Sequence, residues 1–453
     1  MADAPIPMSR RPEIAPTPTA TSAHASPSLD PNLHTADDAA GRPGIVDRAA
    51  LRVVLQRLRG LRSGELELRL PDGRRHLFGA PGRLRGAVHV HRWRFFGRLL
   101  TSGDVGLGEA YMDGDWSTPD LVAVTRLFLA NEERLDRAST TGVVGRLFDR
   151  LVHLARSNTR RRARRNIRAH YDLGNDFYAL FLDPSMTYSS AVFPTPDAAL
   201  ETAQRHKYAR LAAKAGLEPG MHVLEIGCGW GGFAEYAAGD LGCRVTGITL
   251  SDAQAAFARD RMRRAGLDGV VDIRVVDYRD VRGQFDAIMS IEMLEAVGHR
   301  FLGSFFAACD RLLRPEGRVA LQVITFPDQA YDGYRRRVDW IRKYIFPGGH
   351  LPSLAAIHQA VVSHTSFVVD DVENIALHYA ETLRRWRVDF RSSVDRVRAL
   401  GFDGRFIRMW DFYLGVCEAA FAHRKLGSLQ MVLARPGWGH LPDGPYTGPG
   451  GVA

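Results

Sequence analysis

The chain has 453 residues, 45% hydrophobic and 25% charged, with 60 Lys+Arg against 51 Asp+Glu for a net charge of +9, a composition that suits two or three globular domains. No run of about 18 apolar residues is long enough to span a bilayer, and the N-terminus lacks the basic-then-apolar pattern of a signal peptide. The four cysteines (Cys228, Cys243, Cys309, Cys417) show no CxxC and no His pair at ligand spacing, which argues against a zinc site or disulfide framework and for a reducing, cytoplasmic compartment.

Residues 1–45, rich in Pro, Ala, Ser and Thr, read as a disordered tail. A first, accessory α+β domain is expected over 46–158. In it LELRLPDGRRHLFG reads as a hairpin, with Leu66, Leu68 and Leu70 alternating and Pro71-Asp72-Gly73 at the turn. The stretch GEAYMDGDWSTPD reads as a turn-rich loop that feeds an amphipathic helix starting near Pro119 and Asp120. Six of the nine residues from Arg160 to Arg168 are arginine. That run is either a solvated helix face or linker, or a basic collar for anionic lipid head groups; no recognisable nucleic-acid module accompanies it.

From about Ala199 the pattern alternates between helix and strand. HKYARLAAKAGL, FAEYAAGDL, SDAQAAFARDRMRRAGL and FLGSFFAACDRLL read as helices; MHVLEI, CRVTGITLS, VDIRVVDYRD, FDAIMSIEM and GRVALQVITF read as strands. This order predicts a doubly wound, mainly parallel sheet over 159–440, with ligands at the carboxyl ends of its strands. Residues 328–424 read as a helical, aromatic-rich insertion before a final strand in LQMVLARPG, and 441–453 as a flexible C-terminus.

The chemistry concentrates at Val223-Leu224-Glu225-Ile226-Gly227-Cys228-Gly229-Trp230-Gly231, a buried strand running into a glycine loop. Glycines there let the backbone adopt positive φ and approach a ligand. The spacing also satisfies GxGxxG, so a dinucleotide or a plain structural turn fits the loop taken by itself. Glu225 two residues before the first Gly, and a second strand ending in the non-acidic Thr249-Leu250-Ser251, favour S-adenosylmethionine over a nicotinamide cofactor. The third strand ends in Asp277-Tyr278-Arg279, where an adenine could be held.

Longer blocks add a resemblance. HYDLGNDFYALFLDPSMTYSSAVF, VLEIGCGWGG, GITLSDAQ, SIEMLEAVGH, IRKYIFPGGHLPS, HYAETLRRW and FIRMWDFYLGVCEAAF, in order from about Ile167 to Pro436, resemble the cyclopropane-fatty-acyl-phospholipid synthases, and the SIEMLEAVGH form looks most like the branch of the plant and longer bacterial members. The resemblance implies a class I methyltransferase (Rossmann-like) fold with a helical insertion. It implies attack of a cis double bond of a phospholipid acyl chain on the methyl sulfonium, then a carbocation that loses a proton as a ring closes. Sibling enzymes make methyl- or methylene-branched chains from the same cation, and a non-catalytic lipid-surface protein is a more distant alternative. Tyr171, Tyr188, Phe193 and Tyr379 are candidates to shield the cation, against core packing.

Carried over block by block, the resemblance assigns Tyr188 and Ser189 to the methionine end and Val223 through Gly231 to methionine and ribose. Thr249, Leu250, Ser251 and Gln254 fall to the ribose, and Tyr278 with Arg279 to adenine. The family's bound bicarbonate, its proton acceptor, would meet Glu295, Tyr379 and the backbone of Ile324. The usual Cys is Ser190 here and the usual His is Gln322; both can still hydrogen-bond an oxyanion, which leaves a bicarbonate site open, and without bicarbonate Glu295 is the next candidate base. Cys417 matches a position proposed as catalytic, though its apolar setting suits an inert thiol. No metal is implied. The implied partner is unsaturated phospholipid at the inner membrane face, with no nucleic acid; family members are often dimeric, which makes a homodimer the implied assembly.

Overall fold

The computed structural model describes residues 43–136 and 173–437; most of the N-terminal tail, the arginine run at 160–168, Tyr171 and the residues after 437 lie outside the described residues. Helix α1 (Ile45–Leu58) buries Ala50, Leu51, Val54 and Leu58, one face at three- and four-residue spacing. Strands β1 (Glu65–Arg69) and β2 (Arg75–Gly79) pair antiparallel with Arg69 opposite Arg75, so the expected hairpin forms and buries Leu66 and Leu68. β3 (Arg85–Val90) runs parallel to β1, and β4 (Trp116–Ser117) completes a sheet of order β2-β1-β3-β4.

Between β3 and β4 lies α2 (Arg94–Met112), kinked at Gly103. The expectation of a loop through GEAYM is therefore corrected: those residues end a helix. Its glycines suggested a loop, but a Cβ at Gly108 would stand 2.3 Å from the Trp340 ring, so this glycine serves close packing. α3 (Leu121–Leu129) starts where expected, with the Asp120 carboxylate accepting the Ala123 N–H at 2.9 Å. α4 (Glu132–Asp136) ends this part.

The described chain resumes with α5 (Asn175–Tyr178) and α6 (Leu200–Ala215). There follow β5 (His222–Ile226), α7 (Gly232–Gly239), β6 (Arg244–Thr249), α8 (Asp252–Arg264), β7 (Val271–Val275), β8 (Phe285–Ile291), α9 (Leu302–Leu312) and β9 (Leu313–Thr325). The insertion holds α10 (Asp328–Tyr334), α11 (Trp340–Tyr344), α12 (Leu354–His364), β10 (Val368–Asn374), α13 (Ala376–Ser392), α14 (Val394–Ala399) and α15 (Gly404–Ala422), and β11 (Gly427–Ala434) closes the sheet. Its order is β10-β11-β9-β8-β5-β6-β7. β7, β6, β5, β8 and β9 run parallel, and β11 and β10 are each antiparallel to the preceding neighbour.

β5 is buried from Val223 to Ile226 because helices cover both faces of the sheet. Beside it the strand order reverses, with β6 and β7 to one side and β8 and β9 to the other. The crevice for a ligand opens at that reversal, beyond the carboxyl ends of β5 and β8.

β10 is a strand inside a stretch expected to be helical. It lies at the sheet edge, where Asp371 and Glu373 pair with Lys214 and Glu373 also with Arg210 of α6. One aromatic core runs without a break from Phe96, Tyr111 and Trp116, through Phe177 and Phe181, to Trp386 and Trp410.

Candidate active site

The glycine loop leaves β5 with its first amides tied to β6: the N–H groups of Gly227 and Cys228 both donate to the Ile248 carbonyl at 2.9 Å. Gly227, Gly229 and Gly231 all take positive φ, +87°, +51° and +84°. At Gly227 a Cβ would meet Met293 Cγ at 2.6 Å, whereas around Gly229 nothing stands within 4 Å, leaving its backbone open to a ligand.

The loop floors a cavity. Tyr188, Ser189, Glu225, Ile226, Gly227, Cys228, Gly229 and Trp230 line it, with Thr249, Leu250, Gln254, Tyr278 and Arg279 on the far side. Four residues expected to touch the cofactor do not face it. Val223 and Leu224 lie inside the sheet core; Gly231 faces Ala258 of α8; and Ser251 caps α8 by accepting the Gln254 N–H at 3.3 Å. Val223 and Leu224 lie on opposite faces of β5, short of its carboxyl end, and Gly231 and Ser251 are helix N-caps. Asp277, at the strand end expected to hold adenine, lines the cavity, as do residues not foreseen, Tyr208, Phe233, Glu292 and Met293 among them.

The electrostatics fit a cationic ligand. Glu225 is buried at the cavity wall, and its Oε2 has no hydrogen-bond partner. Burial pushes its carboxyl up to about 8, opposed by the nearby Lys207 ammonium. Lys207 is itself fully buried, donates to Ser189 Oγ at 2.7 Å and is driven down to about 7 by desolvation. The Thr249 hydroxyl donates to Gln254 Oε1 at 2.9 Å, fixing both at the wall. Asp277 grips Arg279 through its backbone N–H and guanidinium. A buried carboxyl with one oxygen unpartnered, whose ionised form a ligand cation would stabilise, a loop open at Gly229 and a polar far wall match the ammonium, sulfonium and ribose of S-adenosylmethionine.

The residues expected to hold bicarbonate gather around a carboxylate not foreseen from the sequence. Glu292, at the end of β8, lines the cavity and carries a φ of +51°, uncommon for a residue with a side chain. Its Oε1 accepts the Ser190 backbone N–H and Gln322 Nε2–H, both at 2.8 Å, and its Oε2 accepts the Tyr379 hydroxyl at 2.7 Å. The Ile324 N–H donates to Glu295 Oε1 at 2.5 Å. The Gln322, Tyr379 and Ile324 donors that the resemblance offers to bicarbonate are thus engaged by carboxylates of the chain itself, and the Ser190 hydroxyl donates to the Ala191 carbonyl at 3.0 Å, an arrangement that does not fit a separate carbonate ion.

Glu295 does not line the cavity; burial and the neighbouring Glu292 charge push it up to about 8, so it keeps its proton at neutral pH. The only sign of Glu292 in the sequence was a second acid three residues earlier in SIEMLEAVGH, at a strand end facing the ligand crevice.

Tyr188 is wedged among aromatics, its ring centroid 5.3 Å from both Tyr178 and Trp386, and its hydroxyl shares a hydrogen bond with Tyr413 at 2.9 Å. Phe193 is corrected as a shield for a cation: the Arg385 guanidinium already sits over its ring at 4.4 Å. Cys417 packs against the aromatic core, away from the cavity wall, and burial pushes its thiol up to about 12.

A reversed parallel sheet with an antiparallel last hairpin, and a glycine loop at the reversal, define a class I S-adenosylmethionine-dependent methyltransferase. The family model described as mycolic acid cyclopropane synthetase matches residues 158–431. The tuberculostearic acid methyltransferase UfaA1 of Mycobacterium tuberculosis is 40% identical over 408 residues, 86% of this chain and 92% of that protein. The cyclopropane-fatty-acyl-phospholipid synthase of Escherichia coli is 40% identical over 354 residues, 77% of this chain and 87% of that one. Among solved structures, the mycolic acid cyclopropane synthase CmaA1 complexed with SAH and CTAB is 31% identical with a TM-score of 0.57, covering 60% of this chain and 97% of that chain. The chain belongs to the cyclopropane synthase family and is an S-adenosylmethionine-dependent C-methyltransferase.

Proposed function

We propose that this chain adds the methyl carbon of S-adenosylmethionine to a cis double bond of a phospholipid acyl chain and closes a cyclopropane ring. The aromatic wall around Tyr188 carries the proposal. It sets an apolar, water-poor surface against the cofactor cavity, which suits a hydrocarbon acceptor and a cation that water would quench. The bound cofactor supplies an electrophilic methyl carbon; the protein positions the weakly nucleophilic alkene against it, excludes water and holds an acceptor for the released proton.

Phospholipid is favoured as substrate because the match to the Escherichia coli synthase covers 77% of this chain, a span that the residues after 157 cannot supply alone. The relatedness therefore reaches into the N-terminal unit, which we assign, over 46–158, as an accessory domain to the catalytic 159–440. The Arg160–Arg168 run would then face anionic head groups at the cytoplasmic surface, with attraction of about 1 kcal/mol per basic residue. Among the described residues no helix is long and apolar enough to cross a membrane. We assign a peripheral homodimer, as the resemblance implies, and no bicarbonate, since Glu292 and Glu295 already take the donors of Gln322, Tyr379 and Ile324.

A methyl- or methylene-branched product is the second reading, favoured by the match to the tuberculostearic acid methyltransferase, which covers more of this chain than the synthase match does. Expression in a host with unsaturated phospholipids, followed by mass spectrometry and proton NMR of its fatty acids, separates the two. Upfield ring protons support cyclopropanation; vinyl or branch-methyl signals support the second reading. Unchanged lipids together with no binding of S-adenosylmethionine would defeat both.

A further inference from the structure

We infer that Glu292 is the enzyme's own proton acceptor, a carboxylate of the chain standing where other members of the family bind an ion from solution. The inference rests on the function proposed above and concerns the fate of the proton in it.

Three observations carry it. Glu292 is the carboxylate that belongs both to the cofactor cavity and to the cluster of Ser190, Gln322 and Tyr379. Its two oxygens receive three donors at 2.7–2.8 Å from three separate elements, so the carboxylate is held in one orientation. Its φ of +51° is the left-handed conformation that glycine adopts freely and glutamate resists. Retaining a side chain there, desolvated at a cavity wall, is an unfavourable arrangement unless the carboxylate has a use.

The step balances without an added reagent. The π pair of the alkene forms a carbon–carbon bond to the transferred methyl, and the carbon–sulfur bond breaks with its pair going to sulfur. A cation is left on the neighbouring chain carbon. A Glu292 oxygen takes one proton from the new methyl, and the freed C–H pair closes the ring on the cation. Glu292 then carries the proton and releases it to water once product leaves. Desolvation raises the Glu292 carboxyl above its ordinary value, against the bonds from Tyr379, Gln322 and Ser190 and the Lys207 charge, and so makes it a better base.

The test compares three forms of the full-length enzyme on vesicles of unsaturated phospholipid, in buffer stripped of carbon dioxide and in buffer with added bicarbonate. Wild-type turnover itself reports on the proposed function. Given that turnover, the wild-type rate should be the same in both buffers. Glu292→Gln should lose at least a hundredfold in kcat while binding S-adenosylmethionine within a fewfold of wild type by calorimetry. Glu292→Gly relieves the backbone and frees the donors of Ser190, Gln322 and Tyr379. It should melt no lower than wild type, be inactive in stripped buffer, and recover activity with bicarbonate, formate or acetate. A wild-type rate that falls on removal of bicarbonate and returns with it would overturn the inference, as would a Glu292→Gln variant with near-wild-type kcat.

Discussion

Two acids three residues apart, Glu292 and Glu295, are both pushed up by burial but differ in what each touches. Glu292 receives three donors and faces the cavity; Glu295 has one oxygen bonded to the Ile324 N–H and the other without a partner. With its folded carboxyl near 8 against an ordinary 4.5, Glu295 holds a proton that the unfolded chain has already lost between those values. Stability from this group is therefore fully present below about pH 4.5 and is lost as pH rises through about 8. Glu295→Gln should remove that loss: thermal melts should show the variant gaining on wild type from pH 5 to pH 8, by an amount on the order of a few kcal/mol at the upper end. A gap that stays constant with pH would mean the carboxyl is already ionised in the fold. Glu292 was not legible as a base in the sequence, because its role depends on Ser190, Gln322 and Tyr379 arriving from three distant segments.

At the level of elements, the loop after β5 is the part the sequence specified best. Gly227 shows why: a side chain there would collide with Met293, and its φ is +87°. Gly227→Ala should add strain of about 1–2 kcal/mol from the backbone alone, with the displaced Met293 narrowing the cavity. Affinity for S-adenosylmethionine should fall at least tenfold by calorimetry, with the fold retained by circular dichroism. The alternating strands and helices from β5 to β9 were equally legible, since each carries a clean apolar run or stripe. β10 was not, because its valines lie half exposed at a sheet edge and its partners are charges on α6. α2 was hidden by glycines that read as turns but serve close packing against Trp340. At the glycine loop, residue type marked the right segment but not which members face the ligand; Val223 and Leu224 sit short of the carboxyl end of β5, each in the core on its own face of the sheet.

Over the whole molecule, the N-terminal unit and the helical insertion share one core and one buried polar knot. Asp411 of α15 is fully buried; it receives the Tyr111 hydroxyl of α2 at 2.8 Å and the Arg391 guanidinium of α13 at 2.6 Å. Arg408 reaches back to the carbonyls of Tyr111 and Trp116. Asp411→Ala would leave Arg391 buried without its carboxylate and should cost about 3–5 kcal/mol, read as a lower denaturation midpoint with unchanged slope. Loss confined to a partial transition would show instead that the two units unfold separately.

The left-handed backbone at Glu292 also bears on how such enzymes diverge. Codons for glutamate and glycine differ at a single base, and the backbone that glutamate holds here under strain is one that glycine adopts freely. One mutation at this position could exchange a base encoded in the gene for one drawn from dissolved carbon dioxide, coupling membrane lipid composition to the gas balance of the cell or releasing it from that dependence.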